Sequence, residues 1–160
     1  MLSRALKLAV RNPARAWLMT RMSFWVLVLS GLVNFCSLPR ALRIVSAGTR
    51  NRPEPNASES AELSSAIDAV LGLNVFVFKP SCWKRATVLR RYLAFQGVNT
   101  RIVFGVRKEA SGELKGHAWL EAEGRPILET SAPAYQTTYI FPSTEPFEVE
   151  LALMAQTHNA

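Results

Sequence analysis

Hydrophobic positions change their spacing along this chain. Leu2 to Val10 and Ala14 to Met22 read as helix, with Pro13 as punctuation before the second. An almost unbroken apolar run follows from Met22 to Cys36. Pro39 separates it from a short basic helix, Ala41 to Ala47. Gly48 to Ser58 is a linker by composition. A helix then starts at Ser58, with Leu63, Ile67, Val70 and Leu71 as its apolar stripe and Gly72 closing it. Pro80 and Ser81 precede another helix. Its inward face is Ala86, Leu89 and Leu93, flanked by Val88 and Tyr92, and Gly97 is its C′ residue. Lys84, Arg85, Arg90 and Arg91 lie on its other side and read as a solvated face.

From Thr100 the period shortens to two. Ile102, Phe104 and Val106 alternate with Arg101, Val103 and Gly105 in a strand over 100–107. Leu114 to Ala122 and Arg125 to Thr130 read as a hairpin about Glu123 and Gly124. Tyr139 to Phe141 suggests a further strand, and Glu145 to Ala155 a helix of ambiguous period.

The length of 160 residues supports one domain with a modest core and an appended helical segment. The net charge of +7 is unevenly placed. Residues 1–52 hold nine basic and no acidic side chains, which leaves the remainder at −2. A basic segment of this kind suits an acidic partner or an anionic membrane surface. No nucleic-acid motif accompanies it, so nucleic acid is not expected. The apolar run from Met22 to Cys36 spans only about 22 Å as a helix, against a bilayer core of about 30 Å. It is also a poor signal peptide, because its basic lead-in is long and no small-residue cleavage site follows. The favoured reading is a buried or partner-facing helix, with a membrane-surface helix second and a true span third.

Cys36 and Cys82 are the only cysteines, too few for a disulfide framework, and free thiols in a reducing cytoplasm are the simpler reading. No metal-ligand cluster is evident, and no cofactor is called for. Taken alone, Cys82 fits a buried small hydrophobe and His117 a structural histidine. Together they say more. Cys82 opens a helix, where the positive end of the macrodipole favours the thiolate. His117 lies on a strand nearby in sequence and shares its face with Trp119 and Glu121.

The hairpin register decides whether a carboxylate joins them. A two-residue turn of Glu123 and Gly124 sets His117 opposite Thr130 and points Glu129 to the other face. A three-residue loop, Ala122 to Gly124 with Gly124 left-handed, sets His117 opposite Glu129 and Glu121 opposite Arg125. The second satisfies both turn chemistry and charge, and it builds a Cys82–His117–Glu129 triad. A surface hairpin glutamate remains the plainer alternative for Glu129.

The order Cys82-x-x-Arg85-Ala86-x-x-Leu89-Arg90-Arg91-x-Leu93, then Gly97 to Val106, then His117-Ala118-Trp119-Leu120-Glu121 and Gly124, resembles the transglutaminase-like cysteine peptidases of lasso-peptide maturation. The likeness runs from about Ala61 to Thr130. It implies an α+β, papain-like or transglutaminase-like core, with a cysteine helix packed on an antiparallel sheet. Residues 59–160 would form the peptidase domain, and residues 1–52 a basic, apolar helical segment ahead of it. It implies a leader peptidase with Cys82 and His117 in its triad, and with Glu129 where the family has aspartate. The implied partners are the leader of a ribosomally made precursor, a small leader-recognition protein and an ATP-dependent lasso cyclase. The implied setting is bacterial antibiotic biosynthesis in the cytoplasm, with membrane-surface contact through residues 1–52 left open. Two further readings compete: a non-catalytic peptide-binding scaffold of the same fold, and a membrane-surface adaptor built on the N-terminal helices.

Overall fold

The computed structural model describes residues 12–46, 57–129 and 133–142. The helices expected over 2–10 and 145–155, and the linker as far as residue 56, lie outside these residues. Within them the chain forms α1 (Pro13–Phe35), α2 (Leu38–Ser46), α3 (Ala57–Leu71) and α4 (Cys82–Phe95), then β1 (Arg101–Lys108), β2 (Leu114–Ala122), β3 (Arg125–Ile127) and β4 (Gln136–Phe141). The expected helix-then-strand order is present. The architecture is α+β.

The two stretches expected on either side of Met22 form one helix. The Asn12 side chain caps it by accepting from the Arg15 amide at 3.2 Å, and Pro13 occupies the first turn, where no amide is needed. Nothing between Met22 and Phe35 breaks it, because a lone glycine such as Gly31 only weakens a helix. At 23 residues α1 is long and apolar enough to cross a membrane by length and composition, so the shorter expected run underestimated it. Pro39 falls inside the first turn of α2 instead of before the helix, which a first-turn proline tolerates. Gly97 ends α4 as expected. It takes φ +82°, the Val98 amide reaches Leu93 O at 3.0 Å and the Gly97 amide reaches Ala94 O at 3.1 Å, which closes the last carbonyls.

The four strands form an antiparallel sheet in the order β3-β2-β1-β4. Ala118 and Leu120 of β2, with Ile102 of β1 and Phe141 of β4, join one core with Leu89 and Leu93 of α4, Ile67 and Val70 of α3, Met22 and Val26 of α1, and Leu42 of α2. Met22, Val26, Ile67, Leu89 and Ile102 are fully buried. The first two helices therefore share the apolar centre of the later elements.

The basic side of α4 is not a solvated face. Arg91 Nη1 donates to Val45 O at 2.9 Å, and Arg90 Nη1 to Ser46 O at 3.4 Å, so two guanidinium groups grip the C-terminal carbonyls of α2. A cation there also complements the negative end of the helix dipole. Arg90 Nε donates to Thr100 O at 2.9 Å, and Arg91 lies 3.7 Å from the centre of the Trp25 ring on α1. Burial lowers both guanidinium pKa values from their ordinary one. Charge pattern alone could not reveal this, because the partners are backbone carbonyls and an aromatic face of other helices.

Alternate residues of β2 point away from the helices. Trp119 is buried there beside Tyr135, and Gly105 of β1 lies beneath them. A Cβ at Gly105 would stand 2.9 Å from Tyr135 Cβ, 2.9 Å from Gln136 O and 3.0 Å from Trp119 Cη2. A one-residue irregularity in the β1–β4 ladder falls between Phe104 and Gly105. Gly105→Ala is therefore expected to lower the unfolding free energy by about 1–3 kcal/mol, the usual cost of overpacking. Chemical denaturation would measure it. An unchanged midpoint would show that Tyr135 does not close on the sheet as described.

Candidate active site

Cys82 is the first residue of α4. Ser81 before it is extended, and its side chain makes no capping hydrogen bond. The first helical bond runs from the Arg85 amide to Ser81 O at 3.0 Å. The amides of Cys82, Trp83 and Lys84 thus have no acceptor within the helix and point along its positive end. The thiol is free and partly exposed. It opens on a cavity of about 360 Å³ walled by Leu71 and Gly72 at the end of α3, by Pro80 and Ser81, and by Asp68 and Arg85. Beside it, Lys84 Nζ donates to Val77 O at 2.8 Å and lies over the Trp83 ring. Burial, and then the charge of Lys79, lower the Lys84 ammonium from its ordinary pKa.

His117 lies on β2, on the face shared with Trp119 and Glu121 as expected. Strand alternation turns it away from Ala118 and Leu120, which face the helices. Its ring stacks on Trp119 at 5.9 Å between centroids and meets Tyr135 at 5.2 Å. Trp119 Nε1 donates to Glu121 Oε1 at 3.1 Å, and Glu121 is paired with Arg101 at 3.3 Å. The imidazole therefore sits in an aromatic wall whose own orientation is fixed by hydrogen bonds.

Glu129 reaches this ring, though not by the expected register. The hairpin has a two-residue turn: Ala122 pairs with Arg125, Glu121 with Pro126 and Leu120 with Ile127. Glu123 and Gly124 both take positive φ, 51° and 76°, as a type I′ turn requires. The expected three-residue loop with Glu121 opposite Arg125 is not formed, because Glu123 takes the left-handed conformation although it is not glycine. Continued regularly, the observed ladder would place Glu129 on the helix side. Instead β3 stops at Ile127, and Leu128 takes φ +56°, which re-aims the chain. Glu129 Oε2 then lies 3.3 Å from His117 Nε2. A carboxylate only accepts, so Nε2 carries the hydrogen and Nδ1 is the nitrogen left for other chemistry.

The other oxygen of Glu129 accepts from Arg85 Nη1 at 3.2 Å. Arg85 also donates from Nε to Asp68 Oδ1 at 2.7 Å, and from Nη2 to Ser64 Oγ at 2.7 Å and Leu128 O at 3.1 Å. One guanidinium thus joins α3, α4 and the segment leaving β3. Its spacing was the available signal. Arg85 follows Cys82 by three residues, which puts both on one helix face, and carboxylates at Asp68 and Glu129 were free to meet it. The cysteine helix and the histidine strand are connected through the chain Arg85–Glu129–His117. No hydrogen bond joins the Cys82 thiol to the imidazole. Cys36 lies elsewhere, at the C-cap of α1, with its amide bonded to Leu32 O at 2.7 Å. Among the described residues no group of three His, Cys, Asp or Glu side chains could hold a metal ion.

A helix that starts with cysteine and packs on an antiparallel sheet that carries the histidine fits a transglutaminase-like fold. The family model described as "Transglutaminase-like superfamily" matches residues 25–141, well over half of the chain, and the chain belongs to that superfamily. Its members are commonly of the cysteine protease or acyltransferase type. The match begins within α1, in keeping with the shared core. No curated protein and no solved structure matches the chain.

Arg85→Gln is expected to cost about 1–3 kcal/mol, because it strips partners from two carboxylates, one of them largely buried at Glu129. Arg85→Lys should recover little of this, since an ammonium cannot reproduce the guanidinium fork. Thermal unfolding of both variants would decide. Wild-type stability in Arg85→Gln would contradict the central place of this residue.

Proposed function

We propose that the chain is a cysteine peptidase that removes the leader from a ribosomally made lasso-peptide precursor. The observation that carries the reading is the Glu129 bridge, which ties His117 to the helix that begins with Cys82 beside an open cavity. The substrate class rests on the motif likeness described for the sequence. In this reading Cys82 passes its thiol proton to His117 Nδ1, and its Sγ attacks the carbonyl carbon at the leader–core junction and forms a carbon–sulfur bond. The amides of Cys82 and its neighbours at the start of α4 receive the oxyanion. His117 gives its proton to the leaving amine as the carbon–nitrogen bond breaks. It then takes a proton from water as water opens the thioester, releasing the leader as a carboxylic acid and restoring the thiol. Glu129 holds the ring through Nε2 and stabilises the imidazolium. The thiol–imidazole contact belongs to the substrate-bound state, since catalytic hydrogen bonds often tighten only there. A small leader-recognition protein would present the precursor, and an ATP-dependent cyclase would use the freed amine.

One observation favours a second reading. The imidazole side of β2 faces away from the helices, and no thiol–imidazole hydrogen bond is formed. That arrangement also fits a scaffold that binds the leader without cutting it.

Mass spectrometry of the precursor, incubated with this chain and with or without the leader-recognition protein, separates the two. Cleavage should require the partner. It should vanish in Cys82→Ala, fall about 10²–10⁴-fold in His117→Ala, and persist in Cys36→Ser. An intact precursor with every variant and with the wild type, alongside tight leader binding, would establish the scaffold.

A further inference from the structure

We propose that the outer face of α1 lies flat on an anionic phospholipid surface, a role independent of the peptidase reading. The inner face of α1 is committed to the protein, since Met22, Val26 and Leu29 are fully buried against the other helices. The outer face should then be polar, and it is not. Trp17 is 65 %, Phe24 57 %, Leu27 49 % and Phe35 89 % exposed. At 3.6 residues per turn these fall on one side of the helix. Gly31 lies between them and opens on empty space. From Trp17 to Phe35 the strip is about 27 Å long.

Two polar side chains of this side turn hydrogen bonds back into the helix. Thr20 Oγ1 donates to Ala16 O at 3.0 Å, and Asn34 Nδ2 to Ser30 O at 3.0 Å, each back into its own helix. A protein partner would ordinarily be met by directional donors and acceptors around an apolar centre. A lipid surface needs none, and it favours aromatic side chains at the level of the headgroups. The charges agree. Residues 12–46 contain Arg15, Arg21, Arg40 and Arg43 and no carboxylate. Arg40 and Arg43 are exposed on α2 together with Ile44, which is 45 % exposed. Arg15 turns inward to Ser65 and Arg21 lies over Tyr92, so Arg40 and Arg43 are the cations offered to anionic headgroups. A membrane crossing would pull Met22 and Val26 out of the core they share with Ile67 and Leu89. The helix is therefore expected in the plane of the surface, with the rest of the domain on the aqueous side.

Flotation of the full chain with vesicles tests this. Vesicles containing phosphatidylglycerol in phosphatidylcholine should carry the protein upward, and pure phosphatidylcholine should do so at least about tenfold less well. High salt should weaken the binding. Trp17→Gln/Phe24→Gln/Phe35→Gln and Arg40→Glu/Arg43→Glu should each reduce binding about tenfold or more, with thermal unfolding unchanged because all five side chains are exposed. Protein that stays in the aqueous fraction with anionic vesicles would overturn the proposal. So would variants that bind as tightly as wild type. A lipid-independent dimer in sedimentation, abolished by the aromatic substitutions, would overturn it too and assign the face to a second copy. Precursor cleavage measured in detergent-free buffer without vesicles is not expected to change in the aromatic variant, which separates this outcome from the fate of the peptidase reading.

Discussion

The guanidinium of Arg85 is the interaction on which the candidate site depends. It emerges one helical turn after Cys82 and uses all three of its nitrogens, on Asp68 and Ser64 of α3, on the carbonyl of Leu128 and on the carboxylate of Glu129. These partners come from α3 and from the segment leaving β3, which the one guanidinium joins to α4. The Leu128 contact holds the backbone where it departs from the sheet in a left-handed conformation. The Glu129 contact neutralises a carboxylate that is mostly out of water. Without Arg85, the acid beside the imidazole would lose the cation it pairs with and keep only its contact with His117.

Helix α4 extends the same logic through the fold. Its start carries the thiol and the unbonded amides, and its apolar face fills the core under the sheet. Its remaining arginines hold the end of α2 and the Trp25 ring of α1. A helix that reads as amphipathic is in fact enclosed on most sides, with carbonyls and aromatic faces standing in for water around its cations. On the far side of the sheet a different device operates. A missing side chain at Gly105 lets Tyr135 close over Trp119 and His117, which completes the aromatic wall around the imidazole.

Much of this was legible in the sequence where a local rule decides the outcome. Pro13 and Gly97 mark helix ends because their backbone constraints act within a few residues. The alternation of β1 and β2 follows from burial of one sheet face. Cys82 at a helix start, and His117 on the Trp119 face, needed only period and punctuation. What was not legible depended on partners distant in sequence. The basic side of α4 looked solvated because carbonyls at Val45 and Ser46 leave no mark in composition. The contact between Glu129 and His117 was expected on an incorrect register. It arises from the left-handed turn at Glu123 and Gly124 followed by a second left-handed residue at Leu128, and neither Glu123 nor Leu128 advertises that conformation by residue type. Residues expected as two helical stretches joined into one α1 because only its ends carry breaking or capping chemistry.

In the proposed peptidase reading, Cys82 and His117 act as one chemical unit. Alkylation of Cys82 by iodoacetamide across the pH range, in a Cys36→Ser background, tests it most directly when repeated in His117→Ala. The account predicts a thiol that reacts fast at neutral pH and slows about tenfold or more when the imidazole is removed, because the base supports the thiolate. Identical rates in the two proteins at every pH would contradict it.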